Sequence, residues 1–106
     1  MGDVFQAIGD ATRRRILDEL RQGEHSVGQL VANVGYHQPG VSRHLAVLLQ
    51  SGLVNVRRDG PRRHYSLATG PLQELDRWLE QYRSLWESRF HKLTGHLEKN
   101  NRRTKT

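Results

Sequence analysis

"VGYHQPGVSRHLAVLL", residues 34–49, decides the fold. Val41, Leu45, Leu48 and Leu49 fall within an arc of about 100° on a helical projection, which makes a core-facing stripe. Ser42, Arg43, Ala46 and Gln50 fall on the other side, with His37 and Gln38 at the entry. Pro39 suits the first helical position, where its missing N–H has no partner to lose. The outer face is thus short, rich in donors and led by the positive end of a helix. Such an end attracts phosphate, and Gln and Arg side chains match base edges in the DNA major groove.

Upstream, "SVGQLVANVG", residues 26–35, reads as a helix: Ser26 with Gln29 makes a capping box, Val27, Leu30, Val31 and Val34 form a stripe, and Gly35 ends it. Two short helices joined by the tight "GYHQ" turn, the second polar outside, read as helix-turn-helix. Before them, Asp10 is a good N-cap for "ATRRRILDELRQG", with Ile16, Leu17 and Leu20 inward and Gly23 as the stop. "DVFQAI" makes a short first helix, with Val4, Phe5 and Ile8 on one side.

Downstream, "LVNVRRDGPRRHYSLA", residues 53–68, has strand character on both sides of an Asp59-Gly60 turn. Val54, Val56, Tyr65 and Leu67 are expected to alternate inward. Arg57, Arg58, Arg62 and Arg63 crowd the tip against Asp59 alone. Their mutual repulsion calls for a counter-charge from elsewhere, which a phosphate backbone supplies. A helix-turn-helix followed by a basic hairpin is a winged helix. The expected class is therefore mainly α with a small β-hairpin.

A last helix runs from Pro71 to about Glu98, roughly 40 Å at 1.5 Å per residue. Leu72, Leu75, Trp78, Leu79, Tyr82, Leu85, Trp86, Phe90, Leu93 and Leu97 line one side of it. That stripe is too long for one small domain to cover, so a second copy of the chain is its simplest cover. The expected dimer interface is Leu75, Trp78, Leu79, Tyr82, Trp86, Phe90 and Leu93. The aromatic row within it offers an alternative, a pocket for a small apolar effector. Residues 1–98 form one domain on this reading. The tail, residues 99–106, has four basic residues and no acid, a composition that predicts disorder.

Composition agrees. The chain of 106 residues carries 17 Lys and Arg against 11 acids, a formal +6, so an anionic partner is expected. The absence of cysteine excludes disulfides, thiolate metal sites and cysteine nucleophiles. The longest apolar run, Leu45–Leu49, is too short to span a membrane. "MGDVFQAIGD" lacks the basic flank and apolar core of a signal segment, which leaves the cytoplasm as the expected location. No Ser–His–Asp set, glycine-rich phosphate loop or paired-acid signature stands out, so no enzyme is expected.

"FQAIGDATRRRILDEL", "SVGQLVANVGYHQPGVSRHLAVLLQSGLV" and "RRDGPRRHYSL" together resemble the ArsR/SmtB family of dimeric winged-helix transcriptional regulators, over residues 3 to 98 or so. The resemblance implies repression of bacterial promoters, with a homodimer on double-stranded DNA at an inverted-repeat operator. It implies that Gln38, Ser42 and Arg43 touch bases or nearby phosphates, with His37 and His44 beside them. Arg57, Arg58, Arg62 and Arg63 would hold the flanking backbone. Two residues depart from the family pattern. His37 stands where a small hydroxyl residue is commoner, and Gly40 where Ala is usual. Gly40 weakens the helix by about 0.5–1 kcal/mol relative to Ala, and either permits closer approach to the DNA or has no functional consequence.

Many relatives sense metals, but the usual donors are missing. In Asp76-Arg77-Trp78 a Trp takes the position an imidazole would need. His91 and His96, five apart, point about 140° away from each other, which leaves Glu87 with His91 as the best pair. No metal site and no cofactor are expected, and the effector is unassigned. Two alternatives stand beside the main reading: a metal-responsive repressor with an atypical last-helix site, and a winged-helix module whose partner is a protein. The wing charge argues against the second.

Overall fold

The computed structural model describes residues 2–94 and the side chains of residues 3–87, and contains five helices and three short strands among them. They are α1 (Gly2–Ile8), α2 (Ala11–Leu20), β1 (His25–Ser26), α3 (Val27–Val34), α4 (Gln38–Gln50), β2 (Val54–Asp59), β3 (Arg62–Leu67) and α5 (Gly70–Thr94).

Local chemistry sets most of these boundaries. The Asp10 carboxylate accepts the Arg13 backbone N–H at 3.0 Å and starts α2. Ser26 Oγ accepts from the Gln29 N–H at 3.2 Å, while Gln29 Oε1 accepts from the Ser26 N–H at 2.8 Å, closing the capping box of α3. Gly35 ends α3 with φ of 75°, a left-handed conformation that costs an L-residue about 1–2 kcal/mol. The chain then turns at once into α4. His37 caps that helix through Nδ1, which accepts the Gly40 N–H at 3.1 Å, and Pro39 sits in the first turn. Helix α2 stops at Leu20, before Gly23, with Arg21 as its C-cap.

Ile16, Leu17 and Leu20 of α2, Leu30 and Val34 of α3, and Val41, Leu45 and Leu48 of α4 are buried together with Leu53, Val54 and Tyr65. Val4 and Ala7 of α1 complete this core, with Phe5 and Ile8 half-buried against it. Polar ties add direction. The Arg13 guanidinium donates to the carbonyls of Ala7 at 2.6 Å and Gln6 at 3.0 Å, and Arg15 donates to that of Val34.

The sheet has three antiparallel strands in the order β1-β3-β2, one more than the expected hairpin. Strand β1 pairs His25 with Tyr65 and Ser26 with His64. Two half-buried polar residues carry no alternation, so nothing in their sequence marked them. Asp59 pairs with Arg62, which makes Gly60-Pro61 the loop and moves the turn one residue on from Asp59-Gly60. Gly60 has φ of 64°, and proline's fixed negative φ follows, the order of a type II′ turn. Val56 is also corrected: it is 40% exposed, whereas its cross-strand partner Tyr65 is buried. Both point to one side of the sheet, but β3 is its central strand and β2 an edge strand, and the edge position leaves Val56 exposed.

Two compact units divide the chain, one ending at Leu75 and one starting at Asp76, and α5 is continuous through the division. In the second unit Arg83 pairs with Asp76 and with Glu80, the latter at 2.8 Å. The rings of Trp78 and Tyr82 lie 5.0 Å apart at 55°. Trp78, Tyr82, Leu85 and Trp86 are exposed, Leu85 at 60% and Trp86 at 46%, while Leu75 and Leu79 are half-buried. The side chains of Phe90, His91 and Leu93, the residues His96 and Leu97, the domain end at residue 98 and the basic tail lie outside the described residues. No helix among the described residues is long and apolar enough to cross a membrane.

Candidate nucleic-acid interface

Helix α4 presents His37, Gln38, Ser42 and Arg43 to solvent on the side away from the core. The imidazole of His37 does two things there: it caps the helix, and its ring lies 4.4 Å from that of Tyr36. His44 behaves differently from its neighbours. It is half-buried, with Nδ1 3.2 Å from Arg13 Nη1 and Nε2 3.8 Å from the Asp10 carboxylate. Its place in the helical turn points it at the start of α2, so it secures α4 to α2 instead of reaching outward. The Arg13 backbone N–H, aided by the His44 and Arg13 charges and the Thr12 backbone N–H, holds the Asp10 carboxyl below the usual range.

The register of the wing sorts its four arginines. Arg58 stands directly opposite Arg63, and Arg62 opposite Asp59. Side chains alternate along a strand, so Arg58 and Arg63 share one face, and Arg57 and Arg62 the other. Like charges directly opposite each other disfavour strand pairing. The expected shortage of counter-charge is met within the chain for one of the four. Arg57 forks onto Glu24, with Nε 3.1 Å from one carboxylate oxygen and Nη2 2.9 Å from the other. That bond holds Glu24 below the usual carboxylate range and raises Arg57 further. Among the described residues Arg58, Arg62 and Arg63 have no ion-pair partner, and all three are exposed.

Wing and recognition helix meet at an open groove of about 480 Å³. Ser26, Val27 and Gly28 at the start of α3 line it, with Gln38, Pro61, Arg62 and Arg63. Gln38 and two wing arginines, separated by more than twenty residues in sequence, therefore share one concave surface. Arg43 and Ser42 lie on the outer side of α4, and Arg57 is held at Glu24. Among the described residues no three His, Asp or Glu side chains converge as a metal site would require. Glu87 is exposed, and the side chain of His91 is outside the described set.

Glu24, Arg13 and Tyr36 contribute to this surface without any signal in their local sequence. Glu24 meets Arg57 across 33 positions, and Arg13 meets His44 across 31. Tyr36 sits inside the deciding stretch but reads there only as part of a turn.

A family model described as "Bacterial regulatory protein, arsR family" matches residues 10–56, from the cap of α2 into β2. Over 79 residues the chain is 38% identical to the transcriptional repressor SdpR of Bacillus subtilis, covering 74% of this chain and 88% of that one. Over 73 residues it is 41% identical to the HTH-type transcriptional regulator KmtR of Mycobacterium tuberculosis, covering 69% of this chain. Over 71 residues it is 37% identical to a probable mercury resistance operon repressor of Streptomyces lividans, covering 67% of this chain. The chain spans little more than half of those two relatives, 56% and 57%. Among solved structures, an ArsR family transcriptional regulator superposes with a TM-score of 0.72 at 30% identity, over 82% of this chain and 90% of that one. NolR from Sinorhizobium fredii superposes at 0.64 and 33% identity, over 76% and 82%. A winged helix whose exposed recognition face and basic wing share a groove, in a chain this similar to known repressors, belongs to the ArsR family of bacterial DNA-binding transcriptional regulators.

Proposed function

We propose that the protein acts as a homodimeric repressor of transcription, bound to an inverted-repeat operator in the bacterial cytoplasm, with no cofactor, no metal and no catalysed reaction. The observation that carries this is the cross-strand pairing of Arg58 with Arg63, beside Arg62 and next to the recognition helix. Such an arrangement favours an anion across it, and a DNA backbone offers a row of phosphates. Gln38, Ser42 and Arg43, with His37 at the helix entry, then meet base edges and nearby phosphates, while Arg58, Arg62 and Arg63 hold the flanking backbone. His44 supports the helix from behind, and Arg57 is turned toward Glu24. The second copy of the chain covers the exposed row Trp78, Tyr82 and Trp86, continued by Leu75, Leu79, Phe90 and Leu93. Two recognition helices related by a two-fold axis select half-sites near one helical turn apart, or a multiple of it.

The test is the salt dependence of binding. Three unpaired wing arginines per subunit neutralise roughly six phosphates per dimer, which gives a slope of log K against log salt of about −5. A slope flatter than about −2 means that the wing does not lie on the backbone.

A further inference from the structure

We infer that Tyr36 is a sequence-reading residue of the DNA interface and that Gly40 is its seat; this rests on the DNA-binding reading of α4. The space over Gly40 is already filled. A Cβ at that position would lie 2.8 Å from Cδ2 of Tyr36, closer still to Cε2 of the same ring, and 2.8 Å from Cε1 of His37. Real Cβ atoms do not approach carbon so closely, so any other residue at 40 displaces the phenol ring or the imidazole. The glycine is thus not a gap left open for DNA. It is a socket for the residue four positions earlier.

The seated ring is held on several sides. Its centroid lies 4.4 Å from the His37 ring and 5.8 Å from the His44 ring. His37 is fixed by capping the Gly40 N–H, and His44 by Arg13 and Asp10. Tyr36 nevertheless keeps 36% of its surface exposed. A large aromatic side chain that is positioned from below and open above gains little for the core, but it is preorganised for a partner. Gly40 lies about 60° around α4 from Arg43, on the flank opposite Ser42 and Gln38. The ring therefore widens the reading face toward the start of α2, away from the wing. The matching chemistry on DNA is the apolar edge of a base, the thymine methyl being the group that such a ring distinguishes.

The experiment compares selected-site profiles and affinities, at one salt concentration, for the wild type, Tyr36→Ala, Gly40→Ala and the double variant, with melting temperatures alongside. Tyr36→Ala is expected to lose preference for T·A at one position per half-site and to weaken the best operator about tenfold, while random duplex binding changes less than about twofold. Gly40→Ala is expected to lose the same preference, although alanine favours the helix. The double variant is expected to match Tyr36→Ala, because the His37 ring, otherwise 2.8 Å from the new methyl, can turn into the space the phenol leaves. If Tyr36→Ala keeps the wild-type profile and affinity, the inference is overturned while the DNA reading stands. If the double variant is much weaker than Tyr36→Ala with unchanged melting, the methyl acts through His37 or on the DNA itself and the seat for Tyr36 is wrong. A wild type that binds no duplex removes the DNA reading itself.

Discussion

Each arginine in the interface is defined by what faces it. Arg43 is exposed on α4 and Arg62 on the wing, so their loss should look different. Arg43→Ala is expected to weaken the best operator by about 1–3 kcal/mol and to relax preference at one position per half-site. Arg62→Ala is expected to weaken all sequences alike and to make the salt slope of the dimer shallower by about two, one per subunit. A base edge differs between sequences and a phosphate does not, so selected-site profiles for the two variants separate the roles. Arg57 is a third case, already occupied by Glu24. Two exposed carboxyls also add a dependence on acid. Glu24 and Asp10 both bind protons less readily in the folded chain than in the unfolded one. The unfolded state therefore takes up protons first as pH falls. The stability these groups lend is complete at neutral pH and is lost as pH drops from about 5 to below 4. Melting temperature followed across that range should fall less steeply in Glu24→Gln; an unchanged slope would show that the Arg57 bond does not form in solution.

At the scale of elements, the helices announce themselves through their ends. Ser26 is the clearest case, because its side chain caps α3 while its backbone pairs with His64 in the sheet. Ser26→Ala removes the cap alone and is expected to reduce unfolding free energy by about 1 kcal/mol, read from the midpoint of a urea titration at unchanged m-value. A loss under about 0.3 kcal/mol would mean that water replaces the hydroxyl at no penalty. Capping and stripe positions in α2, α3 and α4 were legible because each depends on residues three or four apart. Strand β1 was not, since two residues gain their strand geometry only from Tyr65 and His64, 40 and 38 positions away. The turn was misplaced by one residue for a related reason. Asp59-Gly60 and Gly60-Pro61 are both good turn pairs, and the register of the flanking strands chooses between them. Val56 follows the right alternation, yet an edge position leaves it exposed.

For the whole molecule, the exposed aromatic row of α5 is the feature that one chain does not explain. Leu85 and Trp86 are large apolar groups left in water, and a partner helix would remove them from it. Trp86→Ala is expected to shift the protein from dimer toward monomer in sedimentation and to lower its melting temperature together, with about 3–5 kcal/mol at stake where the indole is fully covered. A variant that remains a dimer with unchanged melting places Trp86 on the free surface and removes it from the interface. Operator affinity should fall along with dimerisation, because one half-site alone retains half of the contacts.

What the amino-acid sequence determined by itself is whatever its short periods encode: the stripes of α2, α3 and α4, the caps at Asp10 and Ser26, the stop at Gly35, and the basic wing beside a helix that presents Gln38, Ser42 and Arg43. These depend on neighbours within one or two turns, so their physics is contained in the local string. The tertiary structure decided which of those side chains stay available. It turned His44 toward Arg13 and Asp10, gave Arg57 to Glu24, left Arg58 facing Arg63, and filled the space over Gly40 with Tyr36. Ion pairing and close packing act over a few ångströms in space at any distance along the chain, which is why only the folded arrangement settles them.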